Sequence, residues 1–286
     1  MAIVLGDNEY GKAETRVVRI VRGSPGEPAR HDIRDLNVST ALRGDFVAAH
    51  LAGDQSHVLP TDTQKNTVFA FAKERGVDEI EDFALALARH FVDDIEPVRG
   101  ARVEMDEFAW DRIEVDGRPH EHSFVRRGQE VRTATVSIDT GGTRVVSGLR
   151  DLVVLKSTGS EFKGFLTDRY TTLGETDDRI MATSLVARWR HTGTSVDWAA
   201  SHADVRALLL ARFAEVHSRA LQQTLWEMGR AVLSEHPQIA EITLSAPNRH
   251  HVAVDLTPFG LDNPGEVFFA ADRPYGLIQA TIARDD

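Results

Sequence analysis

An α+β fold built twice over is what this sequence predicts, on three observations. Short stretches rich in Val, Ile and Thr alternate with polar residues, and long stretches of helical periodicity interrupt them. The order strand, strand, helix, helix, strand, strand occurs once before and once after the paired glycines Gly141 and Gly142. Antiparallel sheets with helices on one face follow, because each helix must bury its apolar stripe against a sheet. The expected units are residues 1–140 and 141–286.

In the first unit "TRVVRIVRG" reads as a strand, "SPGEPAR" as a loop and "HDIRDLNVSTAL" as a second strand. A helix begins at Thr61 in "LPTDTQKNTVFAFAK", where Pro60 turns the chain and Thr61 followed by Gln64 has the capping-box spacing. In "DEIEDFALALARHFVDDI" the residues Ile80, Phe83, Ala84, Leu87, Ala88, Phe91 and Ile95 fall on one helical stripe, closed by Pro97. "ARVEMDEFAW" and "EVRTATVSID" are the closing strands. The second unit opens with "LRDLVVLKSTG" and "RIMATSLVARWRHT", continues with the helical "DVRALLLARFAEVHSRALQQTLWEMGRAVLSE", and ends with "EITLSAPNRHHVAVDL" and "GLIQATIARD" as strands. Open sheet edges are a liability, so association into a symmetric oligomer is expected.

The chain has 286 residues, 42% of them hydrophobic and 27% charged, ample for a large core. Its net charge of −11 and pI near 5.5 work against nucleic acid and anionic membranes as partners. A small anion is still admissible, because a few cations and a helix N-terminus can build a local positive pocket. The absence of cysteine removes disulfides, thiolate metal sites and cysteine nucleophiles together. "MAIVLGDNEYGK" is too weakly apolar for a signal peptide, and no apolar run has the length of a membrane span. A cytoplasmic protein is expected.

Each candidate group has a plain reading and a chemical one. Thr61 and Asp62 start a helix, and a helix start is also an anion site. Lys12 precedes the first strand, where a lysine is ordinarily solvated; beside another cation or out of water it becomes a proton acceptor. In "SAPNRHHVAVDL" an extended chain puts Asn248 and His250 on one face with Val252, Val254 and Leu256, either as a hydrogen-bonded structural pair or as a pocket lining. His120 and His122 in "RPHEHSF" share one side of a strand, yet no third ligand is in view, so no metal is assigned. No phosphate loop, Rossmann fingerprint or nucleophile elbow occurs.

The segment "LVVLKSTGSEFKGFLTDRYTTLGETDDRIMAT", residues 152–183, resembles the signature of the urate oxidases, or uricases. "YGK", "TDTQKNTVFAFAK", "HSFVR" and "LSAPNRHHVAVDL" resemble uricase segments in the same order, so the resemblance covers nearly the whole chain. It implies two tandem T-fold (tunnelling-fold) units in a homotetramer whose sheets close into barrels. It also implies oxidation of urate by O2 and water to 5-hydroxyisourate and hydrogen peroxide, without metal or organic cofactor. By resemblance Lys12, Thr61 and His250 form a proton-relay triad. The substrate contacts fall on Thr61, Asp62, Phe162, Arg179, Leu221, Gln222 and Asn248. Leu221 stands where Val is common, and the family uses only the backbone there. The family's pocket joins Lys12, Thr61 and Asp62 of one subunit to Phe162, Arg179, Gln222 and Asn248 of another. The sequence ends "ARDD" where eukaryotic members often carry a Ser-Lys-Leu-type tail, so a bacterial-type cytoplasmic enzyme without a peroxisomal address is expected.

These residue types suit such a ligand. A flat, anionic, hydrogen-bonding ring needs an aromatic face, a planar cation and an amide at its edge, which Phe162, Arg179 and Gln222 supply. Two other readings stay open at this point: a zinc-dependent T-fold enzyme acting on a pterin or purine ring through three converging histidines, and a purine-binding protein without catalysis.

Overall fold

The computed structural model describes residues 2–23 and 30–285. Apart from Arg30, the loop expected at "SPGEPAR" lies outside them. The chain divides into two compact units, Met1–Gly148 with Arg190–Ala199, and Leu149–Trp189 with Ala200–Asp286.

The first unit contains β1 (Tyr10–Val21), β2 (Asp32–Gly44), α1 (Val47–Ala52), α2 (Thr61–Glu74), α3 (Ile80–Asp93), β3 (Val98–Val115) and β4 (Arg118–Asp139). β1, β2, β3 and β4 are antiparallel neighbours in chain order. α3 forms where the stripe was expected: Ile80, Phe83, Ala84, Leu87, Ala88 and Phe91 are buried, while Ile95 lies past the helix end and is partly buried. Glu81 and Asp82 in its first turn and His90 in its last complement the helix dipole. The stripe packs on Leu36, Val38 and Leu42 of β2, Val103 and Met105 of β3, and Val136 of β4. Each such side chain contributes about 1.5–3 kcal/mol on burial.

Three features were not foreseen. β3 and β4 run on as a long hairpin closed at Asp116 and Gly117, whose φ angles of 53° and 72° make the two-residue turn that matches strand twist. "RPHEHSF" therefore lies within β4. The short helix α1 packs no buried residue of its own, which is why no apolar stripe announced it. The third is the neutralisation of Glu81, buried off the apolar stripe. Its carboxylate accepts from Arg132 and from the Ser147 hydroxyl, each at 2.7 Å, and the Ser147 hydroxyl in turn meets His191 Nε2 at 2.9 Å.

β5 (Gly142–Lys156) and β6 (Met181–His191) each contribute residues to both units. α4 (Trp198–Glu215) starts in the first unit with Trp198 and Ala199 and continues in the second, which goes on with α5 (Leu221–Glu235), β7 (Ile239–Ala253), a 3-10 turn at Thr257–Phe259 and β8 (Phe268–Ala283). Its core joins Leu185 and Trp189 of β6, Leu209 and Phe213 of α4, Met228 and Val232 of α5, and Ile242 and Leu244 of β7. The helical stretch 204–235 is two helices because Ser218 turns its backbone outward: its N–H donates to Gly159 O at 2.9 Å and its carbonyl accepts from Glu161 N–H at 2.8 Å. No helix among the described residues is long and apolar enough to cross a membrane.

The antiparallel strands, in one sheet ordered β1 to β8, and the helices fit the α+β, tandem T-fold architecture. One local expectation fails. β7 ends at Ala253, so Val254 and Leu256 lie beyond the strand, and Val252 is exposed. Asn248 and His250 thus do not sit on an apolar face; the far half of β7 extends past the helices that cover its near half.

Candidate active site

Lys12 is aimed by a bulge. β1 pairs Lys12 with Thr40 and then Thr15 with Val38, so Ala13 and Glu14 stand opposite the single residue Ser39. Glu14 takes the left-handed conformation at φ 55°, and its N–H donates to Ser39 Oγ at 2.9 Å. The extra residue changes the parity of the strand. Upstream, the even-numbered Tyr10 and Lys12 are half-buried; downstream, the odd-numbered Thr15 and Val17 are buried. Tyr10 packs edge-on to Phe46 with centroids 4.8 Å apart, which marks that side as the core side. Without the bulge Lys12 would share a face with the exposed Arg16. Gly11 permits the approach: a Cβ there would lie 1.7 Å from Thr40 O.

Helix α2 begins at Thr61, as expected, but not by the expected cap. Pro60 is the N-cap, and no side-chain capping bond forms. Gln64 is buried instead, accepting from the Thr40 hydroxyl at 2.7 Å and donating to Leu59 O at 3.4 Å. Thr40 Oγ1 also receives the Lys12 N–H at 3.4 Å. One hydroxyl therefore ties the backbone of Lys12 to the first turn of α2. The Thr61 hydroxyl has no hydrogen-bond partner among the described residues. Asp62 is exposed and its pKa lies below the usual carboxylate range, held there chiefly by the hydrogen bond and charge of Lys65, with lesser help from Asn66 and the charge of Lys12, against burial. Lys12, Thr61 and Asp62 are thus neighbours within the first unit.

The second unit assembles the other residues around residues 158–162. Phe162 and Thr176 exchange both backbone hydrogen bonds, at 2.8 and 2.9 Å. Arg179 N–H donates to Ser160 O at 2.7 Å, and its guanidinium lies over the Phe162 ring, 4.8 Å from the centroid. Arg179 Nε is buried with no hydrogen-bond partner, and desolvation lowers the pKa of the guanidinium. A buried, unspent donor on a cation is costly unless a ligand anion takes it. Leu221 is buried and Gln222 exposed at the first positions of α5, where backbone N–H groups are free. Asn248 is half-buried and pairs with Gly276, while His250 is exposed and pairs with Ala271 across a register shift.

His120 and His122 do lie together, ring centroids 4.6 Å apart, with His31 6.0 Å from His122. Among the described residues, however, no group of three or more His, Asp or Glu side chains could hold a metal ion. Sequence reasoning missed Thr40, whose bond to Gln64 joins residues 24 positions apart, and Asp178, whose only signal was its place beside Arg179 in "TDDRI".

The family model for uricase matches residues 8–137 and 145–279. The uricase of Arthrobacter globiformis is 56% identical over 283 residues, 99% of this chain and 91% of that protein. The uricase of Dictyostelium discoideum is 37% identical over 281 residues, 97% of this chain and 96% of its own. The crystal structure of the Arthrobacter globiformis uricase superposes with a TM-score of 0.94 at 56% identity, covering 100% of this chain and 96% of that one. A uricase from Bacillus fastidious does so with a TM-score of 0.83 at 26% identity, covering 98% and 94%. With both halves matched by one model and relatives alike from end to end, the chain belongs to the uricase family.

Proposed function

We propose that the protein is a urate oxidase, converting urate, O2 and water to 5-hydroxyisourate and hydrogen peroxide. Urate gives two electrons to O2, which leaves as peroxide, and water supplies the new hydroxyl. Family membership is the observation that carries this reading. The buried, unpartnered Nε of Arg179 above the Phe162 face supports it locally, since that is what a flat anionic ring requires.

No cofactor is assigned. The doubly deprotonated purine is electron-rich enough to reduce O2, which leaves the protein to deprotonate, orient and desolvate it. Lys12 and the unengaged Thr61 hydroxyl take the proton. His250 carries it onward, and Asn248 with Thr61 holds O2 or water above the ring. Phe162 stacks under the purine, Arg179 and Gln222 grip its edge, and the Leu221 backbone and Asp62 complete the contacts.

The working form is a homotetramer, with Lys12, Thr61 and Asp62 of one subunit facing Phe162, Arg179, Gln222 and Asn248 of another. Support comes from the sheet margins: β1 pairs only with β2 and β8 only with β7 among the described residues, and β8 exposes Phe269, Tyr275 and Leu277. We take the repeat boundary to lie between Thr140 and Gly141, a reading supported by the gap between the matched segments. The enzyme is assigned to the cytoplasm.

Purified protein mixed with urate in air, with and without EDTA, is the test. Loss of urate absorbance with stoichiometric peroxide in both samples is expected; inert urate would end the proposal, and activity lost with EDTA would point to a metal. Thr61→Ala and Arg179→Ala proteins, each inactive, regain turnover when co-refolded if the site is shared between subunits. No recovery in any mixture would refute the shared site.

A further inference from the structure

We propose that Asp178 is a positioning residue of the urate pocket, fixing Phe162 and Arg179 relative to each other through the segment 158–162. This rests on the reading of Phe162 and Arg179 as the pair that clamps the substrate. Asp178 Oδ2 accepts from the Thr158 hydroxyl at 2.7 Å, and Oδ1 accepts from the N–H of Gly159 at 2.8 Å and, more distantly, of Ser160 at 3.4 Å. Gly159 is left-handed, at φ 75°, so the chain turns tightly around the carboxylate. Beyond the turn, Ser160 O takes the Arg179 N–H, Phe162 and Thr176 close a two-bond bridge, and the Thr176 hydroxyl donates back to Asp178 O at 2.6 Å. The aromatic face and the guanidinium are thereby held on two bridged loop segments pinned at one end by a single carboxylate.

The pin has a second effect, on charge. A carboxylate next to an arginine in sequence is its natural counter-ion, yet Asp178 and Arg179 form no ion pair among the described residues. Thr158 and the two backbone N–H groups occupy the carboxylate instead. The hydroxyl of Thr158 lowers its pKa, burial opposes this, and the backbone N–H groups of Ser160, Gly159 and Arg179 lower it further, so the hydrogen bonds prevail and the group stays ionised without pairing with the guanidinium. Arg179 keeps an unneutralised charge and an unspent Nε for an anionic ligand.

The same segment grips the entry to α5. Ser218, which bonds to Gly159 and Glu161 through its backbone, also accepts the Thr224 hydroxyl at 2.8 Å, and Leu221 and Gln222 lie between those two anchors. Asp178 therefore acts on the pocket at one remove.

Asp178→Ala, Asp178→Asn, Thr158→Val and Arg179→Ala proteins would be compared by anaerobic titration with urate, by steady-state kinetics in air and by thermal midpoint. Loss of the two short hydrogen bonds to the carboxylate, from Thr158 and Gly159, together with the longer one from Ser160, predicts a rise in urate Kd and KM of about 10- to 100-fold for Asp178→Ala. The fall in kcat should be smaller than the rise in KM, and the midpoint should move little, because Asp178 is exposed. Asp178→Asn, which retains an acceptor for the turn amides, should recover most of the loss. Thr158→Val frees the carboxylate to reach Arg179 and should weaken binding as much as Asp178→Ala. Wild-type urate affinity in Asp178→Ala, with Arg179→Ala defective, overturns the pin alone. Wild-type affinity in Arg179→Ala overturns the clamp and the pin with it. Equal defects in the Ala and Asn proteins, with kcat falling in step with the midpoint, would reduce Asp178 to a structural residue.

Discussion

Replacing Arg179 by lysine keeps the charge and removes the fork. In the native chain the guanidinium lies 4.8 Å from the Phe162 centroid with Nε buried and unpartnered, so two parallel donors can meet a planar anion while the cation stays stacked. A lysine ammonium offers one such contact and loses the stacking. One charge-assisted hydrogen bond is worth about 1.5–3 kcal/mol, and a partly desolvated cation–π contact about 0.5–1 kcal/mol. Together they set a loss of about 2–4 kcal/mol, or about 30- to 700-fold in affinity. Urate titrated under argon, where no turnover occurs, reads Kd directly, and initial rates in air give KM and kcat. The expected pattern is a large rise in both Kd and KM, with a smaller change in kcat at saturation. Binding within about twofold of the native protein would refute the fork geometry.

Three further perturbations probe the frame around the site. Arg132→Leu leaves the fully buried Glu81 without its cation and should cost about 3–5 kcal/mol near pH 8, read as a lowered urea midpoint. Burial already raises the Glu81 pKa against the pull of Arg132. A carboxyl raised in the folded state favours folding below its unfolded pKa and loses that contribution as pH rises through the folded one, so the defect should shrink toward pH 5; equal defects at both pH values would refute this account. Gly11→Ala forces a Cβ to within 1.7 Å of Thr40 O and 2.8 Å of Ala41 Cα, so β1 must lift from β2 beside Lys12; thermal midpoint and kcat should both fall, and native values of both would contradict the close approach. Thr40→Val strands Gln64 in the core, whereas Thr40→Val with Gln64→Met removes both partners; stability should fall in the single variant and return in the double one, and a double variant no more stable than the single would show that the hydrogen bond is not what the core needs.

What the sequence showed and what it hid divide along chain distance. The α3 stripe was legible because Phe83, Leu87 and Phe91 recur at helical spacing, a local signal that core burial then rewards. Gln64 was misread as half of a capping box because its partner, Thr40, is brought near only by the sheet. The bulge at Ala13 and Glu14 left no mark in composition, since its cause is the pairing of β1 with Ser39 and Thr40. The β3–β4 hairpin was cut short because residues 118–129 are too polar to look like a strand; Arg112, holding the backbone carbonyls of His120 and Glu121 and lying over Phe124, supports it from across the ladder. On the candidate site, Phe162 and Arg179 fall in contact, as do the neighbourhoods of Lys12 and Asp62, but how each is held in place was invisible until the fold was known.

The extra residue in β1 makes the address of one ammonium independent of everything after it. Deleting Ala13 or Glu14 would leave Thr15, Val17 and the strands beyond in register while reversing the facing of every β1 residue before the bulge. Lys12 would emerge from the other side of the sheet, and Tyr10 with it would leave Phe46 and Leu59 O.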